Sequence, residues 1–81
     1  MEFKKKYTKE ELGEVCAWFS ARLDRLPADM HLDKAIYIKD FPATVRHYME
    51  IARLHGDNPT YSGQMYHLFL MRDNLTAGGM D

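Results

Sequence analysis

The chain holds one cysteine, Cys16, among its 81 residues. An internal disulfide and a cysteine-based zinc site are therefore both excluded as staples of the fold, and a reducing compartment is expected. An excess of one charge is also missing. Eleven Lys and Arg stand against twelve Asp and Glu, a formal net charge of −1. Residues 1–40 carry eight of each sign and residues 41–81 carry three basic and four acidic groups. No overall field draws such a chain to DNA, RNA or an anionic membrane. Long apolar runs are absent too. The longest, Met65 to Met71, spans seven residues including His67, far short of the ~20 that cross a bilayer. Lys4-Lys5-Lys6 imitates the start of an export signal, but Tyr7-Thr8-Lys9-Glu10-Glu11 follows where an apolar stretch would be needed. We expect a cytoplasmic protein without a membrane segment. Asn74-Leu75-Thr76 fits a glycosylation acceptor pattern, which has no use without a secretion route.

What is present describes one small domain. With 46% apolar and 28% charged residues, the chain has room for one core, and a domain of this size buries only about 60% of its unfolded surface. Thr8-Lys9-Glu10-Glu11 reads as a reciprocal capping box that opens a first helix. Leu12, Val15, Cys16, Phe19, Leu23 and Leu26 recur at helical spacing as its core stripe. Pro27 ends it, near Asp24 to Leu26. Residues 27–40 alternate, with Met30, Leu32, Ile36 and Ile38 opposed to polar neighbours. No hairpin turn signal flanks them, so we expect an extended connection and no sheet. Asp40 caps a second helix with Pro42 in its first turn, and Gly56 supplies a left-handed stop. Asn58 or Thr60 caps a third helix running to about Asn74. Tyr61, Met65, Leu68 and Leu75 form its main stripe, while Tyr66, Phe69, Leu70 and Met71 spread apolar surface around most of its circumference. The expected fold is all-α: a three-helix mini-bundle over residues 8–75 with a long extended connection at about 27–40. A basic N-terminal arm, 1–7, precedes it, and a flexible tail, 76–81, follows.

Leu26-Pro27, the Ile-rich extended stretch, the cap at Asp40 and the Gly-Asp-Asn-Pro-Thr-Tyr turn at 56–61 together resemble a family of short, uncharacterised bacterial proteins. The resemblance runs from about Glu10 to Leu75, with Arg72 near the position of an arginine late in the third helix. It implies a bacterial source and no particular activity.

No constellation carries chemistry, and we expect neither catalytic nor cofactor nor metal residues. Asp29, His31 and Asp33 would share one side of an extended segment, a donor set suited to a divalent metal. The same alternation simply places them in water. His47 and Glu50 stand three apart on the second helix, but the charged face beside Arg46 suits them better than a bundle interior. His55, one residue before the helix stop, is placed to favour the C-terminal dipole or bond a free carbonyl. Cys16 sits in a core stripe, where a thiol is usually inert. Glu10, Glu11 and Glu14 complement the start of the first helix. Gly78-Gly79 precede no helix and make no phosphate loop.

Two functions survive this reading. Helices two and three could mimic a helix-turn-helix with Lys4, Lys5, Lys6 and Lys9 as a basic arm, yet the third helix offers only Gln64, His67 and Arg72 to base edges. Nucleic acid is therefore the less favoured partner. The stronger expectation is a non-enzymatic protein-interaction or regulatory module. Trp18 lies off the first helix's stripe, and Tyr66 and Leu70 lie opposite the main face of the third. Either residues 27–40 fold over these three, or they form a patch for another protein chain or a second copy, with a homodimer through the third helix as the simplest form.

Overall fold

The computed structural model describes residues 6–81. Lys4 and Lys5 of the expected basic arm lie outside the described residues. The order of elements is α1 (Lys9–Ser20), a 3-10 turn (Leu23–Arg25), β1 (Met30–His31), β2 (Tyr37–Ile38), α2 (Phe41–His55), a second 3-10 turn (Pro59–Tyr61) and α3 (Ser62–Ala77). Among the described residues the fold is mostly helical, with three helices and one short antiparallel sheet.

The starts of α1 and α2 follow their caps, whereas α3 begins at Ser62 behind Tyr61 with no side-chain cap, so neither Asn58 nor Thr60 caps it directly. Thr8 Oγ1 accepts from the Glu11 amide at 3.1 Å, and the Glu11 carboxylate accepts from the Thr8 amide at 3.2 Å. The Asp40 carboxylate accepts from the Ala43 amide at 3.3 Å. Asn58 Oδ1 accepts from the Thr60 amide at 3.0 Å and begins the 3-10 turn that leads into α3. The ends correct the sequence reading. The first helix stops at Ser20, not at Asp24 to Leu26, because Arg22 folds back to donate to the Trp18 carbonyl at 2.9 Å and its guanidinium lies 4.3 Å over the Trp18 ring. Gly56 is right-handed, with φ −61°, so it is no left-handed stop. It is buried, and a Cβ there would overlap the Leu12 side chain and the Ala52 carbonyl. Glycine is needed for close approach between α1 and the end of α2.

The extended connection does contain a sheet, which the sequence reading left out. Met30 pairs with Ile38 and His31 with Tyr37, antiparallel. Asp33 makes the turn: its carboxylate accepts from the amides of Ala35 and Ile36 at 2.7 and 3.0 Å. At the base of the hairpin the Phe41 amide donates to the Ala28 carbonyl at 3.0 Å. Met30, Leu32 and Ile38 pack against the core, and Asn74 Nδ2 donates to the Leu32 carbonyl at 3.0 Å, fastening the hairpin to α3.

The core comprises Tyr7, Leu12, Val15, Phe19, Phe41, Val45, Ala52, Met65, Leu68, Phe69, Met71 and Leu75. Tyr7, assigned to the arm by sequence, is fully buried and stacks on Phe69 at 5.2 Å and 14°. Five of the sixteen residues of α3 are buried, on more than one side of the helix, as its broad apolar circumference requires. Thr76 and Ala77, placed by sequence in the tail, belong to α3. The helix closes at Gly79, whose φ of +104° is left-handed, with the Met80 amide donating to the Leu75 carbonyl at 3.0 Å. That six-to-one bond is a Schellman closure, and Met80 packs on the core beyond it.

Candidate interaction surfaces

The three residues expected to be in surplus have different surroundings. Trp18 is partly buried against the core, meets Phe19 edge to face at 5.1 Å, and is roofed by Arg22. Arg22 also donates to the Asp81 carbonyl, and Arg25 stands 3.9 Å from the Asp81 carboxylate. The covering of Trp18 thus includes a cation from its own helical end. Tyr66 is partly buried and packs on the core cluster, whereas Leu70 is partly buried and lies outside it. Tyr66 and Leu70 are one turn apart on α3, on the stripe that also carries the exposed Gly63, Asp73 and Ala77.

This outward face of α3 is poor in charge. Arg72 and Asp73 are the helix's only charged residues, and Arg72 turns over the Phe69 ring at 5.2 Å. Asp73 is then the one charge left on the outer stripe. By contrast, α1 presents Lys9, Glu10, Glu11 and Glu14, and α2 presents Arg46, Glu50 and Arg53. Gly63, like Gly13 of α1, has no internal explanation. Its φ is not positive, and a Cβ there would meet nothing within 4 Å among the described residues. Glycine inside a helix costs roughly 0.5–1 kcal/mol relative to alanine.

A second surface, missed by sequence, is the seam between α1 and α2. Leu12, Cys16, Ala52 and Met49 line it, and Leu54, 63% exposed, stands at its edge. Leu54 falls between the charged residues of α2's outer face, so periodicity alone assigns it to solvent. Lys9, Arg46 and Arg53 face Glu50 and Asp57 along the same seam, and Arg53 pairs with Glu50, so its charge is nearly balanced. Burial pushes the Cys16 thiol above its ordinary value, with the Arg53 charge opposing that shift. A thiol so placed holds its proton and is a poor nucleophile at neutral pH.

The remaining candidates are spread over the surface. Asp29, His31 and Asp33 are exposed on the hairpin. Asp29 accepts from the Tyr37 hydroxyl at 2.7 Å, which raises the Tyr37 phenol, and His31 leans on the Tyr37 ring at 4.7 Å. His47 is exposed beside Tyr48. His55 is exposed and stacks on Tyr61 at 4.8 Å and 12°. His67 stacks on Tyr48 at 6.5 Å and 13°. Among the described residues no group of three or more His, Cys, Asp and Glu is arranged to hold a metal ion. No helix among them is long and apolar enough to cross a membrane. Of the three side chains that a helix-turn-helix would aim at bases, all are partly buried, with Arg72 over Phe69 and His67 over Tyr48.

No match was found among curated proteins or solved structures. A family model does match, over residues 10–77, nearly the span of the helical body from α1 to the end of α3. The chain belongs to the family described as a domain of unknown function, DUF6965.

Proposed function

We propose that this domain is a non-enzymatic protein-interaction or regulatory module that binds through the outward face of α3, with a homodimer as its simplest form. The supporting observation is the charge-poor stripe on which Leu70, outside the core cluster, is only partly buried by its own chain. A helix face exposed for its own sake is normally dressed with charge, as α1 and α2 are here. Apolar surface left on a small domain marks contact with another chain. The side chains with chemical potential are dispersed: Cys16 lies in the α1–α2 seam, Asp29 and His31 meet Tyr37 on the hairpin, His47 and His67 lie beside Tyr48, and His55 stacks on Tyr61. That dispersal favours binding over catalysis.

The test is the solution mass of the wild type and of Leu70→Ala across a concentration series, with far-UV circular dichroism as the fold control. The proposal expects Leu70→Ala to lower the mass while helicity is retained. Loss of stability with unchanged mass would assign Leu70 to the fold and remove it from the interface.

A further inference from the structure

We infer that the corner formed by Trp18, Arg22 and Arg25 is a binding site for an acidic peptide segment of a partner protein, and that the chain's own Met80 and Asp81 occupy it in the closed state. The inference goes beyond the α3-face reading and does not depend on it. The site forms where α1 ends. Arg22 Nη1 donates to the Trp18 carbonyl at 2.9 Å, its guanidinium lies 4.3 Å over the Trp18 ring, and its Nε donates to the Asp81 carbonyl. Arg25 faces the same residue, 3.9 Å from the Asp81 carboxylate. Two arginines thus meet one acidic residue through two different oxygens. Asp24 stands between them in sequence but pairs with neither, so among the described residues Asp81 is the only acid they engage. Without Asp81 both guanidiniums would lack a carboxylate, and paired guanidiniums beside an aromatic ring attract one.

The residues seated there state the chemistry of the partner, and the contacts that hold them can be exchanged. Gly79, at φ +104°, turns the chain out of α3, and Met80 packs half-buried on the core beyond it. The Asp81 side chain is 97% exposed and that of Arg25 is 53% exposed. An ion pair so open to water contributes little and is screened by salt. The short tether to α3 is what favours closure, because a segment joined so closely acts at an effective concentration of about 1 mM. A peptide from another chain that offers the same two features, an apolar residue followed by an acid, competes for the same atoms. Its apolar side chain takes the place of Met80, and its carboxylate takes the place of Asp81 between the arginines. Arg22 is already oriented by Trp18, so little side-chain order is lost when a new carboxylate arrives. The strap is an in-built competitor that sets a threshold for the partner.

Trp18 is the chain's single tryptophan, so its emission reports on this corner alone. The probe is a synthetic peptide of residues 75–81, acetylated and amidated so that its aspartate is its only charge, titrated into the full chain with far-UV circular dichroism as the fold control. Met80→Ser/Asp81→Asn opens the strap and should bind the probe roughly fivefold more tightly than the wild type. Adding Arg25→Gln to that open chain should weaken binding about threefold, the scale of an exposed ion pair. The same peptide with asparagine in place of its aspartate should bind the open chain about threefold more weakly as well, and the two losses should not add, because they break one pair. Equal affinity for the wild type and the open chain would show that Met80 and Asp81 do not compete for the site. No change in Trp18 emission in the open chain, at probe concentrations above the effective concentration of the strap, would show that there is no site. Additive losses would place the probe's acid away from Arg25. A matching response to sodium acetate would assign the arginines to any free carboxylate. Each of these four results overturns the inference.

Discussion

Replacing Tyr7 with alanine separates two descriptions of the N-terminal segment: a solvated basic arm or part of the folded domain. Tyr7 is fully buried and stacks on Phe69 of α3 at 5.2 Å. It also precedes the N-cap, Thr8, while Leu12 occupies the fourth helical position, the arrangement of a hydrophobic staple that sets the entry of the chain into α1. Truncating a buried aromatic to alanine costs about 3–5 kcal/mol. We take the lower end, about 3 kcal/mol, as the expectation. A chain of this length holds roughly 4–12 kcal/mol in all, so the variant should lose a large share of its stability. For a domain of this size the corresponding fall in Tm is roughly 12–24 °C. Urea unfolding followed by far-UV circular dichroism measures the difference. Lys6→Ala, at an exposed neighbour, is the control and should unfold like the wild type. If Tyr7→Ala unfolds within about 0.5 kcal/mol of the wild type, the staple and the stack contribute nothing and the domain begins at Thr8.

Two further perturbations address the helix junction and the hairpin. Gly56→Ala should destabilise by about 1–3 kcal/mol in the same unfolding assay. The new methyl must displace Leu12 or the end of α2, although helix propensity taken alone predicts a gain. Asp29→Ala should lower the Tyr37 phenol toward its ordinary value, because the hydrogen bond to Asp29 is the main cause of its rise, followed by burial and the Asp29 charge. The raised folded value means that this contribution to stability is complete below the unfolded tyrosine value of about 10. It is lost as pH rises through the folded value. Ultraviolet titration of the wild type and Asp29→Ala should therefore show one tyrosine ionising earlier in the variant, and their unfolding free energies should converge in that alkaline range.

Local signals were legible where one residue settles one backbone group. Thr8 with Glu11 and Asp40 with Pro42 announced the starts of α1 and α2, and Asn58 the 3-10 turn ahead of α3, since a capping oxygen needs only an amide two or three residues away. Ends were less legible because distant residues decide them. Pro27 sets only an outer limit on α1, while Arg22, engaged with Trp18 and Asp81, accompanies a stop seven residues earlier, at Ser20. The hairpin was missed for a related reason. Its turn contains no glycine, and Asp33 does that work by accepting two amides with one carboxylate oxygen. Alternation at Met30, Leu32, Ile36 and Ile38 was visible in the sequence, but the antiparallel partner was the other half of the same segment. Tyr7 carried a readable staple signal in its position before Thr8, which the run of lysines in front of it obscured.

The interaction face divides along the same line between local and distant causes. The broad apolar circumference of α3 and its shortage of charge can be counted from residues 62–77. Which of those apolar residues its own chain covers cannot, because Phe69 is covered by Tyr7 from before α1, while Leu32, in the hairpin, packs on the core and is tied to α3 through Asn74. Gly63 shows why structure is required. A glycine in a helical sequence is compatible with a positive φ, with crowding inside the chain, or with close approach by another molecule. Gly79 satisfies the first condition and Gly56 the second. Gly13 and Gly63 satisfy neither, so neither backbone conformation nor crowding by the described residues accounts for a glycine at either place.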